Sequence, residues 1–210
     1  MKGHPVVDLH EDVSWYYSLG DRLDFPLRGL SEDVPDRHGD IPKYGRADVA
    51  IVFAAIFCLT GTFSPGISKQ LAKGYDLKEF QRAVTPRAAH STSLEHIKMY
   101  YALQRMNSKH IRIIRTPNDI DESLKSPVGF LIALEGAYAL EDPYDLDLFY
   151  NMGLRSLGLT WNFDTIYAAT CMSRRDYGLT GSGEELVDRC NELGVIIDLV
   201  HASKKTQLEV

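Results

Sequence analysis

Four side chains that can bind metal ions lie at or just past the ends of apolar runs in this sequence. They are His10, Asp12, Glu135 and His201. Alternate side chains of an extended segment point the same way, so His10 and Asp12 can share one cation. Two imidazoles and two carboxylates form a nitrogen and oxygen ligand set that suits Zn²⁺, with Mn²⁺, Co²⁺ or Fe²⁺ as alternatives. The residue types therefore indicate a hydrolytic metal site.

Each of these residues also has a simpler interpretation when it is taken alone. The first pair fits a charged surface turn, and a lone histidine such as His201 is commonly a satisfied core residue. Glu135 follows the six residues of the apolar run 129–134, so it must be solvated, paired or metal-bound, because bare burial of a carboxylate is costly. One shared site is favoured because the three apolar runs that precede His10, Glu135 and His201 all end at residues that can bind metal.

Short apolar runs rich in Val, Ile, Leu or Phe predict buried parallel strands. They cover residues 6–9, 47–57, 129–134, 154–160 and 195–200, and residues 111–114 form a weaker sixth. Helical patterns lie between them, over residues 91–106, 117–124, 182–193 and a short stretch after Pro143. Ser182 with Glu185 resembles a capping box, Gly194 fits a left-handed stop, and Ser203 caps a final helix.

Strands and helices that alternate in this way predict an α/β fold with a parallel sheet, either doubly wound or closed into a barrel. Long polar segments follow three strands, at residues 18–46, 60–81 and 163–181, always on the carboxyl side of the strand. A barrel places such loops around its active-site mouth. A (β/α)8 barrel needs eight strands and typically about 250 residues. We therefore expect residues 1–210 to be a single barrel domain that is incomplete at its C-terminus, with about five of eight βα units and an exposed sheet edge.

Several motifs together resemble the renal, or membrane, dipeptidase family of zinc peptidases. They are Asp8-Leu-His10-Glu-Asp12, Ala133-Leu-Glu135-Gly136, Arg155-x4-Thr160-Trp-Asn162 and Gly178-Leu-Thr180-x-x-Gly183-x-Glu-Leu-Val187-x3-Asn191-x-Leu-Gly194-x3-Asp198-x-x-His201. The match spans nearly the whole chain in the family's order, and its last stretch is the most specific part.

The resemblance implies a binuclear zinc (β/α)8 barrel that hydrolyses dipeptides. His10 and Asp12 would bind one ion, and His201 would bind the second. Glu135 would bridge the two ions and serve as the catalytic residue that, with them, holds the attacking water. Such water can lose a proton near neutral pH, whereas bulk water has a pKa of about 15.7.

The sequence departs from the family's pattern at three places. Trp161 stands where the best-known members have a histidine that contacts the developing oxyanion, and we expect Trp161 and Asn162 to bind substrate. Val200 replaces the usual serine before the last matched histidine. The family's next metal histidine and its substrate-carboxylate arginine lie beyond residue 210, so the second ion would lack a ligand within this sequence.

Composition limits the classes of partner and location. A net charge of -6 and no basic block argue against nucleic acid, and no run reaches the roughly 20 apolar residues of a membrane helix. The three widely spaced cysteines suggest no disulfide framework, which fits a reducing, cytoplasmic setting. Trp15, Tyr16 and Tyr17 are interpreted as packing rather than a substrate pocket, and His90 and His96 as solvated.

The first hypothesis is therefore a zinc-dependent dipeptidase acting on dipeptides or similar small amides. A second is a truncated, non-catalytic relative that serves as a binding or interaction module through its open sheet. A third is a hydrolase of another amide or ester, with Trp161 reshaping the pocket. For the partner of the open edge we expect either a second copy of the chain or a complementing C-terminal segment.

Overall fold

Strands and helices alternate along the computed structural model, which describes residues 4–23, 28–35, 37–58 and 86–210. The described strands are β1 (Val6–Glu11), β2 (Val49–Ile56), β3 (Ile111–Ile113), β4 (Val128–Leu134), β5 (Leu154–Gly158) and β6 (Ile196–Asp198). The described α-helices are α1 (Val13–Leu23), α2 (Ile41–Ala47), α3 (Pro86–Met106), α4 (Pro117–Ser123), α5 (Asp145–Asn151), α6 (Gly181–Leu193) and α7 (Lys204–Glu209). A short 3₁₀ helix, Ala137–Ala139, follows β4.

The strand order in the sheet is β1-β2-β4-β5-β6, with β3 also paired to β4. The pairs β1 with β2, β3 with β4 and β5 with β6 are all parallel. β1 and β6 stand at the two ends of this order, and both expose apolar side chains. Leu9 of β1 is 67% exposed and Ile196 of β6 is 49% exposed.

The chain divides into two compact units, of which the first contains residues 1–56, 96–133 and 152–155. Its core includes Phe130 of β4, which is fully buried. The Phe130 ring meets the rings of Tyr44 and Tyr100 edge to face, with centroids 6.3 and 6.0 Å away. These aromatic pairs join α2 and the second half of α3 to the strand.

The second unit contains residues 57–95, 134–151 and 156–210. Phe149 of α5, Leu157 of β5 and Leu186 of α6 are fully buried in it. Tyr167 is also fully buried, and its hydroxyl donates a hydrogen bond to the Leu140 carbonyl oxygen at 3.0 Å. The long segment between β5 and α6 is thereby part of this core.

Helix ends follow from local sequence. Thr116 and Asp119 form a capping box at the start of α4, where Pro117 occupies the first turn. Gly194 adopts φ 72° after α6 and ends that helix in the left-handed conformation, as the sequence predicts. Ser203 caps α7 by accepting a hydrogen bond from Thr206 N, again as predicted.

Most predicted elements are confirmed, and the weak run at residues 111–114 is the strand β3. The predicted cap of α6 is wrong, because Thr180 rather than Ser182 accepts the hydrogen bond from Gly183 N, at 3.1 Å. The predicted loop 18–46 is partly wrong, since it contains the end of α1 and all but the last residue of α2. The predicted loop 60–81 lies outside the described residues.

Among the residues that the structure describes, no helix combines the length and apolar character that a membrane crossing requires.

Candidate functional site

His10 and Asp12 are brought together at the end of β1, within the first unit. His10 Nε2 lies 3.7 Å from Asp12 Oδ2, with 43% and 46% of the two side chains exposed. The His10 amide donates a hydrogen bond to Asp8 Oδ1 at 3.0 Å, which fixes the backbone just before the site. Asp12 directly precedes α1, and its carbonyl oxygen accepts a hydrogen bond from Trp15 N at 3.1 Å, which starts the first turn.

Glu11 lies between these two residues and points elsewhere, as alternation along a strand requires. Tyr44 donates a hydrogen bond to Glu11 Oε2 at 2.9 Å. Burial raises the pKa of Glu11, against the opposing effect of the Tyr44 hydrogen bond. A Cβ at residue 39 would lie 1.5 Å from Glu11 Oε1, so the Glu11 side chain requires a glycine at that position.

A cavity of about 410 Å³ opens beside the His10 and Asp12 pair, within the first unit. Its walls include Trp15, Tyr16, Tyr17 and Leu30. Burial raises the pKa of Tyr17 to about 12, so its hydroxyl stays neutral. The sequence suggested that this aromatic cluster is packing, whereas the structure places its rings around a cavity of the size that binds small molecules.

Glu135 and His201 are brought together in the second unit. Glu135 directly follows β4, and its Oε1 lies 3.4 Å from His201 Nε2. Their side chains are 16% and 27% exposed, so this pair is more enclosed than the first. His201 has φ 67°, a left-handed conformation that is uncommon for a residue other than glycine.

Both pairs fit the donor geometry of a zinc site. Zn²⁺ binds imidazole nitrogen and carboxylate oxygen at about 2.0–2.2 Å, which in a tetrahedral site separates two ligand atoms by about 3.4 Å. The two His–carboxylate distances, 3.7 Å and 3.4 Å, lie close to this value. Each pair can therefore share one cation with little movement.

The turn after Glu135 depends on Gly136, which has φ 83°. A Cβ at this position would lie 2.4 Å from the Tyr138 ring, so a larger residue does not fit. The Tyr138 hydroxyl donates a hydrogen bond to the Phe163 carbonyl oxygen at 2.5 Å and accepts one from Trp161 N at 3.1 Å. One tyrosine thus connects the segment after β4 with the segment after β5.

Trp161 packs among aromatic rings in the second unit. Its ring centroid lies 4.8 Å from that of Phe57, 5.7 Å from that of Phe163 and 6.2 Å from that of His201. Asn162 follows it and is half-buried. Trp161 is therefore part of an aromatic cluster that packs against His201, and its role in binding substrate stays a prediction.

Thr170 holds the backbone of both Trp161 and His201 in place. It is buried, and its hydroxyl lies 2.5 Å from the Trp161 carbonyl oxygen and 3.0 Å from that of His201, so its single proton is shared between them. The Cys171 amide also donates to the His201 carbonyl oxygen, at 2.8 Å. Val200, which replaces the family's serine, is 61% exposed.

His96 was interpreted as solvated, and this interpretation is wrong. It is 1% exposed, and burial lowers its pKa to about 4. The buried stripe of α3 recurs every three to four residues and includes polar side chains: Ala89, Thr92, Ser93, His96, Ile97, Tyr100 and Leu103. The spacing is visible in the sequence, but only if serine, threonine and histidine are allowed as core residues.

Comparison with known proteins identifies the family. The family model for membrane dipeptidase (Peptidase family M19) matches residues 1–210. Rat Dipeptidase 3 is 32% identical over 87% of this chain and 40% of its own length, and an uncharacterized protein of Acinetobacter calcoaceticus is 25% identical over 96% of this chain and 64% of its own.

Solved structures share the fold. A metallopeptidase from Rhodobacter sphaeroides, crystallised with a phosphinate mimic of the dipeptide L-Ala-D-Ala, superposes with a TM-score of 0.73 at 22% identity. The match covers 98% of this chain and 61% of that one, so the chain spans under two thirds of the length of these relatives. The predicted class, an incomplete (β/α)8 barrel, is confirmed, and the described residues contribute six strands to its sheet. With its whole length matched by one family model, the chain belongs to the membrane dipeptidase family, peptidase family M19.

Proposed function

We propose that this chain carries the metal-binding part of a zinc-dependent dipeptidase. The observation that carries the proposal is the presence of two histidine and carboxylate pairs, each spaced for a shared cation, in a member of a metallopeptidase family.

The roles of the individual residues follow from the family resemblance and from the geometry within each unit. His10 and Asp12 would bind one ion, Glu135 would bridge two ions, and His201 would bind the second. Bound zinc supplies Lewis-acid activation of water and of the amide carbonyl. Glu135 would hold the attacking water, and Trp161 would exclude bulk water beside His201.

A small amide substrate agrees with the cavity next to His10. Its volume of about 410 Å³ is enough for a dipeptide side chain, and its aromatic walls favour apolar groups. The Rhodobacter sphaeroides relative holds a dipeptide mimic, which supports the same substrate class here. A cytoplasmic location stays a prediction from composition.

The proposal is tested by metal analysis and by dipeptide hydrolysis with the purified chain. After reconstitution with zinc and removal of excess ions, we expect retained metal, whereas we expect dipeptide cleavage to require the strands that complete the barrel. His10→Ala should lose zinc, whereas His110→Ala, an exposed histidine in the same unit, should retain it. A folded chain that retains no zinc would contradict the proposal.

The exposed strands favour association as a second property of this chain. Val6, Val7 and Leu9 of β1 and Ile196 of β6 are 43–67% exposed, although strands of a complete parallel barrel are covered. We propose that these strands bind either the remaining βα units of a full-length protein or a second copy of the chain.

Light scattering of the purified chain tests the second of these partners. We expect self-association that weakens when Leu9→Lys and Ile196→Lys are combined, because the added charges cannot be buried between strands. Leu208→Lys is the matched control, since Leu208 is 77% exposed on α7 rather than on a strand. A monomer at every concentration would exclude association between copies.

A further inference from the structure

The helix α3 carries two buried polar side chains to which the proposed function gives no role. They are His96 and Tyr100, which lie one helical turn apart and are 1% and 0% exposed. Both contact Ser14, a fully buried residue in the first turn of α1. All three belong to the first unit.

The contacts form a small network. Ser14 Oγ lies 2.7 Å from His96 Nδ1, and the Ser14 amide donates a hydrogen bond to the Tyr100 hydroxyl at 3.4 Å. Tyr100 in turn donates to the Ala55 carbonyl oxygen of β2 at 2.5 Å, and Ser14 Oγ lies 3.3 Å from the same oxygen. The first turn of α1 is thus bonded to both α3 and β2.

This network lies next to the His10 and Asp12 pair. Asp12 precedes α1 directly, and its carbonyl oxygen accepts the hydrogen bond from Trp15 N that starts the helix. A shift of Ser14 would therefore move Asp12 as well. Metal ligands must be held to within about 0.5 Å of their working positions, which requires support from the residues behind them.

We propose that His96 and Tyr100 are positioning residues, which act through Ser14 to fix the turn formed by residues 12–15 and thereby aim the Asp12 carboxylate. The assignment rests on the proposed function for its consequence at the metal. Its structural part, the anchoring of the turn, stands on the contacts alone.

Four variants separate positioning from general stability. Ser14→Ala and His96→Leu remove the bond between Ser14 Oγ and His96 Nδ1 from its two ends. His96→Asn keeps a polar group near the place of Nδ1, and an amide can either donate or accept, so it suits either histidine tautomer. Tyr101→Phe is the control, because Tyr101 neighbours Tyr100 in α3 and its hydroxyl donates to the Met152 carbonyl oxygen at 2.8 Å, away from α1.

Cobalt titration of the full chain gives the first readout. We expect Ser14→Ala and His96→Leu to weaken Co²⁺ binding by about 10-fold or more, as loss of a ligand's support does in other metal proteins. We also expect the visible spectrum of the bound cobalt to change, because the position of the Asp12 carboxylate changes. His96→Asn should recover most of the affinity, and Tyr101→Phe should bind as the wild type does. If all four variants match the wild type, the positioning role is excluded.

Hydrogen exchange of the Trp15 amide, measured without added metal, gives the second readout. We expect faster exchange in Ser14→Ala and His96→Leu than in Tyr101→Phe. If the wild type binds no cobalt, the proposed function fails, yet faster Trp15 exchange would still support the anchoring of the turn. Unchanged exchange in both variants overturns the inference whatever the cobalt result.

Discussion

Glu135→Gln is expected to weaken zinc binding on the order of 100-fold or more while the chain stays folded. Loss of a residue that merely supports a ligand costs about 10- to 100-fold in affinity, and Glu135 is proposed as a ligand itself. Glutamine has nearly the same shape, but its neutral amide oxygen is a weaker ligand and cannot bridge two cations as a carboxylate does. The side chain is 16% exposed, so little water is available to replace it.

We expect Glu135→Gln to lower the zinc affinity of the chain without lowering its free energy of unfolding. The amide can keep a hydrogen bond to His201, which lies 3.4 Å from Glu135 Oε1. Isothermal titration with zinc measures affinity, and thermal unfolding with a chelator measures stability. Glu141→Gln is the matched control, because Glu141 belongs to the same unit and pairs with the exposed Arg87 at 3.9 Å. Equal zinc affinity of both variants would remove Glu135 from the site.

A second large effect is expected at His201, because metal binding requires a histidine there while the left-handed backbone disfavours it. The residue has φ 67°, a conformation that costs about 1–2 kcal/mol for most residues but that asparagine adopts readily. In His201→Asn the shorter side chain loses the ligand position. We expect zinc affinity to fall on the order of 100-fold, by the same reasoning as for Glu135. We expect the free energy of unfolding to stay within about 1 kcal/mol of the wild-type value, because relief of backbone strain offsets the lost contact with Trp161.

His201→Val provides the matched comparison. Valine also lacks a ligand atom, but its branched Cβ is strongly disfavoured at positive φ. We expect His201→Val to be less stable than His201→Asn by about 1–2 kcal/mol in urea unfolding without metal, with equally weak zinc binding. If the two variants unfold alike, the backbone at residue 201 is not strained. If His201→Asn keeps its zinc affinity, His201 is not a ligand.

Much of the fold follows from local sequence. The apolar runs give the strands, because a strand covered on both faces needs continuous apolar residues. Even the three-residue β3 is visible as the run at residues 111–114. Prediction fails at the cap of α6, where Thr180 accepts the hydrogen bond from Gly183 N and its own amide donates to the Tyr167 carbonyl oxygen at 2.9 Å. This second contact joins residues 13 positions apart, so the local sequence pattern does not show it.

The candidate metal residues could also be identified from the sequence, since their types and their places at strand ends are local properties. The contacts that hold them could not. His96 reaches Ser14 across 82 residues, and Thr170 reaches His201 across 31. Such contacts form only when helices and strands pack, and no local pattern encodes them.

His10, Asp12, Glu135 and His201 were thus determined by the sequence, because strand ends and residue chemistry are written along the chain. Tertiary structure alone decided three other features: the spacing within each pair, the left-handed backbone of His201 and the burial of His96. The reason is physical. Distances, strain and burial depend on which distant segments pack together, and packing is a property of the folded molecule.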